Sequence, residues 1–288
     1  MKDAAPSRIA VLGAGYVGRA LTTRLVEAGH EVLATTTTPA KVPELSAQGA
    51  EAVCFDFGTP GDVTFDVDAV VHLAPPAREG SAAAEAKVIA DRCTDRVRTF
   101  VYGSTTGAFG DHGDAWIDEA TPSGPLGARG QRRLDTERAL ADAGLPLRVV
   151  RIAGIYGPHR TLLRALARDS FVLFEGGPHT SRTHVDDLVS LLIGMLAPDA
   201  PSLAIACDEE PAPTLDVARY TCSLLRRDMP DVVSLDEAKE QLSPAALEMR
   251  MGGRRCRSTV RAEVMGALAQ PTYREGVRAS LREEGLIE

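Results

Sequence analysis

The sequence predicts an α/β protein built on a doubly wound parallel sheet, and three observations carry that prediction. Apolar runs of strand length recur at residues 9–12, 32–35, 52–55, 69–73, 99–102 and 147–152. They are continuous rather than alternating, which marks strands buried on both faces. Helical stretches separate them at 17–28, 43–48, 81–95 and 126–143, the strand–helix alternation of a parallel sheet. Finally, the first strand runs straight into a glycine-rich turn that opens a helix.

That first unit is the most informative. Ile9-Ala10-Val11-Leu12 leads into Gly13-Ala14-Gly15-Tyr16-Val17-Gly18, the helix closes at Gly29, and a second strand ends at Thr35. In such a unit Gly13 permits the tight turn, Gly15 lets backbone approach a pyrophosphate, and Gly18 lets helix and strand pack closely. Tyr16 and Val17 begin the helix, where free N–H groups and the positive dipole end suit phosphates. The spacing and context point to a dinucleotide site, that is, a Rossmann unit. A glycine-rich turn that binds nothing is the alternative.

Farther along, Pro43 suits the first turn of a short helix. After Ile152 the pattern loosens, with Gly154, Gly157, Pro158 and then Gly176-Gly177-Pro178. The expected organisation is a dinucleotide-binding Rossmann domain over 1–153 and a smaller substrate lobe over 154–288. Within that lobe about 182–206, a helix (186–196) and a strand (203–206), return to the first domain. The last 80 residues read as helical and charged, without a repeat.

Composition narrows the function classes. The net charge of −8 disfavours nucleic acid and anionic membranes as partners. No apolar run approaches the ~20 residues of a membrane span, and residues 1–6 lack a signal-peptide core. Five scattered cysteines (Cys54, Cys93, Cys207, Cys222, Cys256) read as reduced thiols of a cytoplasmic protein. No cluster has metal-ligand spacing, so no metal is expected. The expected partner is a small-molecule substrate, and a homodimer is left open.

Several segments together resemble the extended short-chain dehydrogenase/reductase superfamily, specifically its NAD-dependent epimerase/dehydratase group. Besides the glycine motif these are Asp56-Phe57, His72-Leu73-Ala74, Tyr102-Gly103-Ser104-Thr105-Thr106-Gly107, Arg151-Ile152-Ala153-Gly154-Ile155-Tyr156-Gly157-Pro158 and Arg182-Thr183-His184-Val185-Asp186-Asp187. The resemblance implies that Asp56 and Phe57 contact the adenine, and that Leu73 and Ala74 pass beneath the cofactor. It also implies a catalytic hydroxyl at Thr105 and substrate contacts at Thr106, Tyr156, His159 and Arg182.

One departure matters. The family carries Tyr-x-x-x-Lys on the following helix, the tyrosine as general acid/base and the lysine as ribose holder. The frame set by Pro122, Pro125, Gly130 and Glu137 places Arg129 and Arg133 there instead. No tyrosine of the chain has a lysine four residues downstream. A guanidinium stays charged and is a poor proton donor. Arg133 can still donate to a ribose, and Arg129 can bind an anionic substrate group if it faces the cleft. A solvated, arginine-rich helix face is the alternative for both. His112 is a further loop candidate for the missing proton chemistry.

At the end of the second strand an NAD enzyme usually places an acid. Thr35-Thr36-Thr37-Thr38 stands there instead, with Lys41 nearby. Without a carboxylate to repel a 2′-phosphate, NADP is expected, through Thr36 and Thr37, and NAD stays open. An ordinary β-branched strand end explains the run equally. Three functions follow: an NAD(P)-dependent oxidoreductase or epimerase on a small polar substrate, a non-redox lyase, isomerase or cyclase, and a non-catalytic dinucleotide sensor.

Overall fold

Burial on both faces of the first strand sets the architecture. Ile9 and Val11 turn to one side, Ala10 and Leu12 to the other, and all four are 0% exposed. A computed structural model of the protein describes residues 7–76, 81–124, 127–166 and 171–288. Numbered along the chain, β1 (Arg8–Leu12), β2 (Glu31–Thr36), β3 (Glu51–Cys54), β4 (Ala69–His72), β5 (Thr99–Thr105), β7 (Leu147–Ile152) and β11 (Leu203–Ala206) form one seven-stranded parallel sheet. Its order is β11-β7-β5-β4-β1-β2-β3. Three short parallel pairs lie outside it: β6 (Trp116–Ile117) with β13 (Arg255–Cys256), β8 (Gly154–Tyr156) with β10 (Arg182–His184), and β9 (Leu173–Phe174) with β12 (Val232–Val233).

Helices cover both faces. On the Ile9/Val11 side, α1 (Tyr16–Glu27) packs against α6 (Val185–Gly194), burying Leu21, Leu25, Leu188 and Leu192. On the other side, α3 (Ala82–Arg92) and α4 (Gly127–Asp142) supply Ala86, Ile89 and Leu140. Each fully buried aliphatic side chain stabilises by about 1.5–3 kcal/mol. The remaining helices are α2 (Val42–Ala47), α5 (Leu162–Leu166), α7 (Thr214–Leu225), α8 (Leu235–Gln241), α9 (Pro244–Met251), α10 (Arg261–Met265) and α11 (Tyr273–Glu283). No helix among the described residues is long and apolar enough to cross a membrane.

Two expected boundaries move by three residues, each for a backbone reason. β5 runs on to Thr105 because its pairing with β7 continues to Thr105 opposite Ile152. α3 stops at Arg92 rather than 95, because Cys93 leaves the helix to bridge Phe65. Leu126 and Pro125 lie outside the described residues, as do residues 1–6.

The strand order reverses at β1, which has β2 on one side and β4 on the other. In open α/β sheets, ligands bind in the crevice beyond the carboxyl ends of the strands at such a switch point. Here those ends are Leu12-Gly13 and His72-Leu73-Ala74.

Candidate functional site

The glycine turn is folded against the end of β4. Gly13 has a positive φ of 91°, and a Cβ there would come within 2.6 Å of the Ala74 amide nitrogen. The Ala74 N–H in turn donates to Leu12 O at 3.1 Å. Gly18 is equally constrained, since its Cβ would run into the Gly13 carbonyl. Gly15 differs: nothing lies within 4 Å of a Cβ built there. A side chain at 15 would therefore fill open space in front of the turn, the cradle a pyrophosphate needs. The residues present fit a dinucleotide on that ground.

The threonine run divides its hydroxyls. Thr35 Oγ1 accepts from the Gly13 N–H at 3.1 Å, so it braces the turn. Thr36 is buried, and its Oγ1 accepts from the Thr38 N–H at 3.1 Å. Thr37 is exposed. Asp56, also exposed, accepts from the Gly58 N–H at 2.8 Å through one oxygen. Phe57 packs edge-on against Phe55 and His72. Leu73 is half-buried, and its N–H donates to Leu12 O at 2.8 Å. His72 beneath it is fully buried, 3.2 Å from Glu85 Oε1, and burial lowers its pKa.

Thr105 ends β5, half-buried, with Oγ1 accepting from the Gly107 N–H at 3.1 Å. Its hydroxyl proton is left to donate elsewhere. Thr106 is buried in the following turn, against which α4 packs. The two arginines of α4 part company. Arg133 Nη1 donates to Tyr102 OH at 3.0 Å and to Gly103 O at 2.9 Å, both on β5. Exposed Arg129 instead donates to Met249 Sδ at 3.2 Å on α9. The two arginines therefore do not share one direction: Arg133 reaches down to the sheet, and Arg129 spans to the C-terminal lobe.

Sequence reasoning missed a buried network beside this site. Arg151 on β7 grips Glu137 of α4 through Nη2–Oε2 (2.7 Å) and Nε–Oε1 (3.2 Å), with Ser104 on β5 donating to Oε1 at 2.5 Å. Both charged groups are below 10% exposed. The signal available was a base in a strand and an acid on a helix, both facing a core. Buried charges occur almost only in pairs.

In the lobe, two expected substrate contacts are committed to the fold. Tyr156 is buried against Gly276 of α11, its hydroxyl donating to Thr272 O at 3.4 Å. Burial pushes its pKa up. Arg182 donates through Nη1 to Thr180 O (2.9 Å) and Ala212 O (2.8 Å), and through Nη2 to Thr214 Oγ1 (3.3 Å). Carbonyls at the β8/β10 end need those donors. His159 is exposed at φ 60°, its backbone N–H donating to Glu284. His112 lies 3.1 Å from Phe109 O. His184 caps α6 and meets Ser280 Oγ at 3.2 Å. Asp187 accepts from the Ala269 and Gln270 N–H groups. Asp208, just past β11, is 2% exposed, and neither carboxylate oxygen has a hydrogen-bond partner among the described residues. Burial raises its pKa to about 8, against the nearby Arg182 charge.

One further contact ties the two halves together. Tyr16, the first residue of α1, donates its hydroxyl to Pro158 O at 2.8 Å, and burial pushes its pKa up to about 12. The glycine turn and the entry to the lobe are therefore joined by one phenol.

Residues 7–170 match the model of the RmlD substrate binding domain family. The structure is similar to that of a conserved protein of unknown function from Silicibacter pomeroyi, at 32% identity and TM-score 0.85, over 96% of this chain and 99% of that one. MoeE5, solved with UDP-glucose and NAD, aligns at 20% identity and TM-score 0.74, over 96% and 98%. TunA, an NAD-dependent NDP-hexosamine 5,6-dehydratase of tunicamycin biosynthesis, aligns at 19% and 0.77, over 98% and 99%. These two likenesses concern the fold. No curated protein matches the sequence. On a match spanning more than half its length, the chain belongs to the RmlD substrate binding domain family, an epimerase/dehydratase-like branch of the short-chain dehydrogenase/reductase superfamily.

Proposed function

We propose that the chain is an NAD(P)-dependent oxidoreductase or epimerase acting on a small polar substrate without a tyrosine–lysine pair. The observation that supports this most is the turn at the switch point, where Gly13 and Gly18 are sterically fixed and Gly15 faces open space. A bound dinucleotide supplies hydride transfer. The chain's own residues hold its pyrophosphate on the first amides of α1, and the ribose on the nitrogens of Arg133 that are not turned to β5. The Thr105 hydroxyl lies at the end of β5 to donate to the reacting oxygen. NADP is favoured over NAD, because no carboxylate ends β2. The division at residue 153, the cytoplasmic location and the substrate contacts of Thr106 and Arg129 belong to the same proposal. MoeE5 was solved with a sugar nucleotide, which makes that class the first to test.

The experiment is a calorimetric titration with NAD(H) and NADP(H), followed by nicotinamide absorbance across sugar nucleotides and simpler hydroxy compounds. Binding with substrate-dependent absorbance change is the expected result. Binding without turnover would turn the reading toward a sensor, and absence of binding toward a non-redox enzyme.

A further inference from the structure

A guanidinium that no described carboxylate reaches lies between two phenyl rings of the C-terminal lobe. Arg250, in the last turn of α9, places its Cζ 4.8 Å from the ring centroid of Phe171 and 4.7 Å from that of Phe174. It is half-buried, and neither a hydrogen bond nor an ion pair reaches it among the described residues. Burial lowers its pKa. Neighbouring arginines differ: Arg254 ends on Gly110 O and Arg261 on Glu209. Aromatic faces attract a cation, yet withdrawing one from water without an anion remains unfavourable.

The same guanidinium walls a small pocket with Phe174, Gly177, Pro178, Thr214 and Leu215. Its free volume, about 10 Å³, admits one oxygen-sized atom. Thr214 Oγ1 accepts from Arg182, which leaves its own proton to donate. The first amides of α7 are also here, and Pro213 before them supplies no side-chain cap. These groups are donors, suited to an acceptor that carries negative charge.

We propose that this pocket takes one oxygen of an anionic group, a carboxylate or a phosphate, with Arg250 as its charge partner. Arg250 follows Met249, the residue that Arg129 reaches from α4, so the pocket belongs to the helix facing the glycine-turn half of the molecule. That the anion is part of the substrate rests on the function proposed above; the anion site itself does not.

The test is calorimetry with inorganic phosphate, with acetate and with UDP at fixed ionic strength. Because the glycine turn can also take phosphate, the comparison is made in a Gly15→Val background. There, phosphate or acetate should bind at one site, and Arg250→Gln should weaken that binding about tenfold or more. Arg250→Lys, which keeps the charge and loses the planar fork, should fall between. Preference for phosphate or for acetate names the group, and tighter binding of UDP places the phosphate on a nucleotide. Equal binding by Arg250→Gln, or no anion binding in the Gly15→Val background, overturns the proposal. Thermal unfolding of Arg250→Gln should match its parent, so loss of binding is not loss of fold. Failure of the unaltered protein to bind NAD(P) would sink the function proposed above and leave this site standing.

Discussion

Arg133 Nη1 donates to Tyr102 OH at 3.0 Å and to Gly103 O at 2.9 Å, so a guanidinium of α4 is fastened to β5 two residues before Thr105. The phenol is fully buried, and burial raises its pKa, which keeps it neutral as an acceptor. The arginine is thus a strut of the fold and, in the proposed function, a ribose holder at once.

Removing it should expose both roles. Arg133→Ala leaves a buried carbonyl and hydroxyl short of a donor, at a cost of about 1–3 kcal/mol. Denaturant melts should show that loss, and calorimetry should show weaker NAD(P) binding. Tyr102→Phe keeps the Gly103 contact, so its stability loss should be smaller. A variant pair with unchanged cofactor affinity would remove the ribose role.

The three glycines of the turn should respond differently. Gly15→Val meets no protein atom, so the melting temperature should stay near wild type while dinucleotide binding is lost. Gly18→Ala drives a methyl into the Gly13 carbonyl and should cost about 1–3 kcal/mol in thermal melts, whatever it does to binding.

Cofactor choice is set beside β2. Thr36→Asp keeps an acceptor for the Thr38 N–H and adds a charge that repels a 2′-phosphate. NADP(H) should bind more tightly than NAD(H) to the unaltered protein, and the substitution should shift the balance by ~1–2 kcal/mol toward NAD(H). Equal affinities for the two in the wild type would dispose of the argument from the missing acid.

Asp208 should make stability depend on pH. Its pKa near 8 lies above the 3.8 of an unperturbed aspartate, so the folded chain holds a proton that the unfolded chain releases. The associated stability is present below about pH 4, falls as pH rises toward 8, and is level above it. Asp208→Asn has no such proton to lose. It should therefore gain on the wild type across that window, by on the order of a few kcal/mol at pH 8. Parallel urea denaturation of the two proteins at several pH values checks this, and a constant difference would refute it.

Glu137→Gln should be among the more damaging single changes, because it leaves Arg151 charged and buried with its partner neutralised. Breaking one side of a buried pair costs about 3–5 kcal/mol. A double change to apolar residues of similar volume should recover part of that loss in chemical denaturation.

The sheet was legible in the sequence because its central strands are buried on both faces. Continuous apolar runs such as Ile9–Leu12 and Ala69–Val71 have no polar alternative in water, and Gly13 and Gly18 announce a turn that other residues cannot make. Those are local properties of a few adjacent residues, as is the missing acid after Thr35. What only the tertiary structure decided is where long side chains end. Arg129 and Arg133 are four residues apart and look equivalent, yet one reaches Met249 and the other Tyr102. Tyr156 and Arg182 sit in family-like motifs but are held by Thr272 and by carbonyls near Ala212. Asp208 and Arg250 carried no sequence signal, since burial of a charged group is a property of packing between segments far apart in the chain. A flexible side chain takes its direction from whichever distant donor or acceptor the fold brings within hydrogen-bond reach, and no local pattern contains that choice.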